Sequence, residues 1–272
     1  MNETARRLAL DILHCELLGA ARSDIAHPCA KAAGWYQASS DGRRYPPDPW
    51  MGHLAGARIL FVGSNPAAGE QGAVPAPDEA ITSAARDDVL LAYYDGAFDD
   101  GQVPGVVDGT VYVDETGNRQ SSRYWVWAKR IAGELLGDEE LLRPGVDYAM
   151  TEVVHCASKQ QSGTWEAAQT CAERYLRRVL EVSGAGVVVV AGAVAQWAFT
   201  EMLGVANGEG MWGPGLLAGR ERVVLVLPHP SRPRRWGVEP YLGQDPATAR
   251  AVIRQLVGGR TGEAAPEGSE RG

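Results

Sequence analysis

No apolar run in this chain approaches the roughly 20 residues that a membrane span requires. Its opening residues, Met1-Asn2-Glu3-Thr4-Ala5-Arg6-Arg7, lack the apolar core of a secretion signal. Both absences lead us to expect a soluble, cytoplasmic protein that does not engage membranes. No internal repeat is visible. Excess positive charge is also missing: 26 Lys and Arg against 34 Asp and Glu leave a net charge of −8. That balance argues against indiscriminate polyanion binding but leaves room for a local basic patch. The densest arginine clusters are Arg232, Arg234 and Arg235, and, upstream, Arg43-Arg44. Cysteine is scarce, with only Cys15, Cys29, Cys156 and Cys171 present. In a cytosolic protein, disulfides are not the expected use of them.

What is present is enough for one large core. Residues 3–20 read as an amphipathic helix with Leu8, Ile12, Leu13 and Leu17 on one face. A Gly/Pro/Trp-rich connector follows over 30–56, then a strand over 58–62. The stretch 66–120 is rich in Pro, Gly and Asp and reads as largely irregular, with a short helix over 78–92. A helix is expected over 121–137 and a strand over 148–154. Thr164 is the expected N-cap of a helix reaching residue 182. Residues 187–190 form the clearest strand, followed by Gly192 and a helix over 193–203. A strand over 222–227 and a helix over 246–257 complete the pattern. The Gly/Glu/Pro/Ser-rich tail, 258–272, reads as disordered. This alternation predicts one α/β domain over 1–257, in three α/β/α layers around a central four-stranded parallel sheet.

Two short loops stand out. Gly63-Ser64-Asn65-Pro66-Ala67 follows the apolar run Ile59-Leu60-Phe61-Val62, and Pro228-His229-Pro230-Ser231 follows Val223-Val224-Leu225-Val226-Leu227. Ligands of open α/β sheets bind where such strands end. An amide and an imidazole, far apart in sequence, are therefore expected in one crevice. The prolines flanking His229 fix the local backbone and remove competing donors.

These loops resemble the two catalytic motifs of the uracil-DNA glycosylase superfamily. The first is similar to the Gly-x-Asn-Pro-Gly loop of the mismatch-specific branch, the second to the His-Pro-Ser loop of most other branches. Arg123-Tyr124-Trp125 resembles the Arg-Phe-Trp that opens a helix in the mismatch-specific branch. Thr151-Glu152-Val153-Val154-His155-Cys156 resembles the Thr-Asn-Val-Val-Lys-Cys segment of the iron–sulfur branches. Ala191-Gly192 before a helix matches a third element, and the likeness spans about 58–256.

The resemblance implies a monofunctional DNA glycosylase, acting as a monomer on DNA, that flips a damaged or modified base and hydrolyses its N-glycosidic bond. Asn65 would orient the attacking water, and His229 would stabilise negative charge on the departing base. Gly63 and Ser64 would line the base site, with Ser231, Arg232, Arg234 and Arg235 toward the DNA backbone. None of the three lysines, Lys31, Lys129 and Lys159, lies in a matched motif, so hydrolysis is expected over a Schiff-base lyase reaction. Tyr112, Tyr124, Trp125 and Phe98 are candidate stacking partners of the base, and Trp236 a candidate wedge.

By residue type alone, the four cysteines fit three uses: scattered core residues, a zinc site, or a [4Fe–4S] cluster held by soft thiolates. The resemblance implies the cluster, with a departure. The family places Cys-x-x-Cys near the N-terminus, whereas thirteen residues separate Cys15 from Cys29. Glu152 departs further, because the iron–sulfur branches carry Asn there, with a donor and an acceptor for uracil. An ionised Glu offers only acceptors and favours an exocyclic amine, as on cytosine or the modified cytosines of phage DNA. Burial would raise its pKa, and a protonated Glu reads uracil again. Glu152 turned away toward an arginine is the third possibility. Competing functions are a catalytically weak nucleic-acid-binding protein on the same scaffold, a phage-defence glycosylase acting on modified cytosine, and an N-glycosidase for free nucleosides.

Overall fold

The computed structural model describes residues 1–35, 46–66, 86–98, 105–113, 117–205, 208–231 and 237–258. Its strands are β1 (Ile59–Gly63), β2 (Gly105–Val107), β3 (Val111–Val113), β4 (Arg119–Ser121), β5 (Tyr148–Glu152), β6 (Val187–Ala191), β7 (Gly210–Leu217) and β8 (Arg220–Leu227). Helices α1 (Glu3–Leu13), α2 (Leu17–Ser23), α3 (Ala30–Trp35), α4 (Arg86–Asp95) and α5 (Arg123–Leu136) precede α6 (164–182), α7 (193–202) and α8 (Pro246–Gly258).

Continuous β-branched runs suit strands covered on both faces, and every residue of β1 and β6 is buried. β5, β1, β6 and β8 run parallel in that order, and β7 closes one edge antiparallel to β8. The α/β sheet, flanked by helices, therefore has five strands where four were expected. β7 escaped detection because Gly210, Gly213, Pro214 and Gly215 read as turn residues. Its edge position tolerates Pro214, and the pairing shifts register between Trp212 and Gly215. Among its described residues, the stretch expected to be largely irregular holds α4, which overlaps the helix expected over 78–92, and most of a small antiparallel sheet, β2-β3-β4, which was not expected. Strands of three residues are too short to show alternation.

The N-terminal helix breaks at residues 14–16, so Cys15 sits at the joint between α1 and α2. The apolar stripe continues into Leu17 and Leu18, and periodicity alone cannot see the break. β5 ends at Glu152, although Val153 and Val154 still donate to the carbonyls of Gly63 and Ser64. Gly163, at φ +77°, caps α6 in place of Thr164, whose hydroxyl is buried without a partner. An ideal Cβ at Gly163 would lie 2.5 Å from the backbone nitrogen of Ala32, so α3 lies hard against the start of α6. A π-helical turn, Ala172–Leu176, interrupts α6 directly after Cys171.

At the opposite pole from the strand ends, the fully buried Arg222 ties β8 to the end of α6. Its guanidinium donates to the carbonyls of Ala185 at 2.9 Å, Leu180 at 2.6 Å, Ser183 at 2.9 Å, and Leu217. Among the described residues, no helix is long and apolar enough to cross a membrane.

Candidate active site

The four parallel strands end on one side of the sheet, where Gly63 pairs with Glu152 and Ala191 with Leu227. β6 lies between β1 and β8, so their loops must converge across it. They do so at Gly192, whose φ of +106° is rare for any other residue. An ideal Cβ there would fall 2.5 Å from Ser64 Oγ and 3.7 Å from His229 Cδ2. Glycine is what lets the two loops meet.

Asn65 donates through Nδ2 to the Pro66 carbonyl at 2.8 Å and to Ser158 Oγ at 2.9 Å. A carbonyl can only accept, so these bonds orient the amide and leave Oδ1, buried and unpartnered, as the available acceptor. His229 is half-buried. Its Nδ1 accepts the backbone N–H of Ser231 at 3.2 Å and pairs with Ser231 Oγ at 2.8 Å. The neutral imidazole therefore carries its proton on Nε2. Ser231 is exposed and orients His229. Tyr124, from the first turn of α5, stacks on His229 with ring centroids 6.1 Å apart and planes at 24°.

Glu152 does not turn away. Its carboxyl lies over Gly63, where an ideal Cβ would come within 2.0 Å of Oε2. Oε2 has no hydrogen-bond partner. Burial, and then the charge of Asp48, pushes the Glu152 pKa up to about 8. Tyr124 lies beside it: burial foremost, then the Glu152 charge, holds that phenol well above its ordinary pKa. Its hydroxyl is likewise unpartnered.

Asp48 is the site residue that sequence reasoning missed. Tyr94 Oη donates to Asp48 Oδ1 at 2.5 Å. The Asp48 N–H donates to the His155 carbonyl at 2.8 Å, and His155 Nδ1 donates back to the Asp48 carbonyl at 2.6 Å. Thr151 Oγ1 also donates to the Pro49 carbonyl at 2.9 Å, so the segment before Trp50 is clasped along the end of β5. Burial raises the Asp48 pKa to about 7, against the lowering effect of Tyr94. An acid set between prolines, Pro47-Asp48-Pro49, was the available signal, but nothing in the sequence tied it to β5. Burial lowers the His155 pKa to about 4, which keeps that imidazole neutral.

Ser64 Oγ, Asn65 Oδ1, Tyr124 Oη, Glu152 Oε2 and His155 Nε2 are all buried without partners around these strand ends. Buried polar atoms are normally satisfied, and a polar ligand seated at these strand ends would supply the partners that these five lack. Of the other aromatic candidates, Phe98 packs edge-on against Tyr148, at the far end of β5. Tyr112 and Trp125 are buried in the core. Lys31 pairs with Glu166 and Lys129 with Asp108. Arg43, Arg44, Arg232, Arg234, Arg235 and Trp236 lie outside the described residues.

The four cysteines are free thiols, two of them, Cys29 and Cys171, buried. All six pairs are near enough for one sulfur's charge to act on another. Burial foremost and these neighbours next push Cys29 up to about 11 and Cys171 up to about 12. The segments that carry these thiols, the joint after α1, the start of α3, α6 and the stretch after β5, converge, and four soft sulfur donors have the chemistry of a thiolate-bound group. Among the described residues, however, no set of three or more His, Cys, Asp or Glu side chains is arranged to hold a metal ion.

The chain matches no model of a known protein family and no curated protein.

Proposed function

We propose that the protein is a monofunctional DNA glycosylase on a uracil-DNA glycosylase-like scaffold. The carrying observation is the convergence of the Ser64 and His229 loops on Gly192, with the Glu152 carboxyl over Gly63. A base inside a duplex is out of reach and must be flipped, at a cost of a few kcal/mol. Breaking the N-glycosidic bond then leaves negative charge on the base and positive charge on the sugar. The Nε2–H of His229 is the preorganised donor for the base oxygen, a role worth about 3–4 kcal/mol. Asn65 cannot take a proton as a carboxylate would; its Oδ1 orients the attacking water. Glu152 reads the base edge over Gly63 and Ser64. Ser231 contacts the DNA backbone in this reading, and the arginines that follow it in sequence, Arg232, Arg234 and Arg235, supply positive charge for the phosphates.

Cys15, Cys29, Cys156 and Cys171 would hold a [4Fe–4S] cluster. Bound there, it would serve as a crosslink between the N-terminal helices and α6.

Release of free base is the deciding measurement. Duplexes carrying uracil, hypoxanthine, cytosine or a modified cytosine are compared, with the corresponding nucleosides as controls. Excision from a duplex is the expected result. Cleavage of nucleosides alone points to a nucleoside N-glycosidase, and binding without cleavage to a nucleic-acid-binding protein on this scaffold.

A further inference from the structure

Two acids lie at the end of β5, near enough for the charge of Asp48 to act on Glu152, and neither is paired with a cation among the described residues. Asp48 comes from the proline-bound segment clasped to His155 and Thr151; Glu152 ends the strand itself. Their surroundings differ in one decisive respect. Asp48 receives an O–H from Tyr94 at 2.5 Å, which favours its charged form. Glu152 Oε2 receives nothing. Two close carboxyls in low dielectric cannot both ionise readily, so the pair retains one proton through the neutral range. The hydrogen-bond pattern decides which acid keeps it.

We infer that Asp48 is a positioning residue that keeps a proton on Glu152, so that the crevice takes a substrate edge with an N–H beside a C=O. A neutral carboxylic acid offers one O–H donor and one carbonyl acceptor, which complement such a lactam edge. An ionised Glu152 offers acceptors only and favours an exocyclic amine. The identification of that edge as a nucleobase rests on the proposed function; the placement of the proton does not. The raised pKa values of both acids agree with the assignment. The groups facing Glu152 are Asp48 and, from α5, Tyr124, which also stacks on His229. Those facing Asp48 are Tyr93 and Tyr94 from α4, Glu152, His155 and, more weakly, Cys156.

The test follows Glu152 directly by carbon NMR of protein labelled at the glutamate carboxyls, with Glu152→Gln identifying the resonance. In Asp48→Asn the Glu152 midpoint should fall by about one pH unit, the size of one lost like-charge neighbour. Tyr94→Phe should move it the same way by less, because Asp48 then competes better for the proton. Should Asp48→Asn fail to fold, Tyr94→Phe carries the test. A midpoint unmoved in the folded variants overturns the inference. The second arm is the single-turnover rate on uracil relative to cytosine duplexes. In wild type this ratio should fall about tenfold per pH unit above the midpoint, and in Asp48→Asn the decline should begin at lower pH. A shifted midpoint with a flat ratio overturns the substrate-edge assignment. A shifted midpoint with no duplex cleaved leaves the proton placement standing and removes the proposed function.

Discussion

At the scale of single residues, the crevice divides its work between groups that are held and groups that are left open. Asn65 spends both amide hydrogens on Pro66 and Ser158 and keeps its oxygen free, whereas His229 is held through Nδ1 by Ser231, which places its proton on Nε2. His229→Ala should therefore lower single-turnover cleavage by about two to three orders of magnitude, the usual effect of losing one preorganised donor. DNA affinity should hardly change. Asn65→Ala should behave similarly, and the double variant should lose less than the product of the two, since they act on one transition state. Near-wild-type rates in both single variants would remove these loops from the chemistry. Gly63→Ala is a sharper probe. Its methyl would displace the far end of the Glu152 side chain, leaving the backbone in place. The expected outcome is a folded enzyme with altered base preference, seen as a changed rate ratio; an unchanged ratio would mean that Glu152 does not read the base.

At the scale of elements, the two poles of the sheet are secured by different devices. Arg222 satisfies the last carbonyls of α6 without any carboxylate, and burial lowers its pKa to about 10. Arg222→Met would leave several buried carbonyls unpaired, at about 1–3 kcal/mol each. A large fall in the urea midpoint with an unchanged slope is expected, without loss of the chemical step in protein that remains folded. At the other pole, the π-helical turn of α6 sets Tyr175 edge-on to His155 at 5.4 Å, directly beyond Cys171. If the cysteines hold a [4Fe–4S] cluster, anaerobically purified protein will be brown from thiolate-to-iron charge transfer. Cys171→Ala should then cost stability before it costs catalysis. One zinc and no iron by metal analysis would exclude the cluster.

At the scale of the whole molecule, the acid pair makes stability depend on pH in an unusual direction. Asp48 and Glu152 titrate near 7 and 8 in the folded protein, against ordinary values of 3.8 and 4.5. Between these limits the folded state holds protons that the unfolded state has released. Their contribution is full below the ordinary values and is lost as pH rises toward 8. His155 opposes it, because its folded pKa of about 4 lies below 6.5 and its neutral form favours folding as pH rises. Two protons against one leave a net loss of stability with rising pH, steepest above 6.5. Calorimetry across this range should show Tm falling toward alkaline pH, with a flatter profile in Glu152→Gln. A Tm that rises with pH would contradict the placement of these acids.

The apolar, Val- and Ile-containing runs at 59–62, 187–190 and 223–227 pointed to a parallel α/β core by themselves, because strands buried on both faces need no polar alternation. The Asn65 and His229 loops were legible for the same reason: each follows such a strand, and strand ends carry ligands. Short or glycine-rich strands were not legible, since β2, β3, β4 and β7 owe their pairing to neighbours more than to their own pattern. The break at Cys15 was hidden by an apolar stripe that runs through it. Only tertiary structure decided that Gly192 joins two loops separated by β6, that Glu152 lies over Gly63, and that Asp48 shares its end of the sheet. Those are contacts between segments distant in the chain, and the proton placement inferred for Glu152 depends on the last two of them, because a carboxyl's charge is set by what surrounds it.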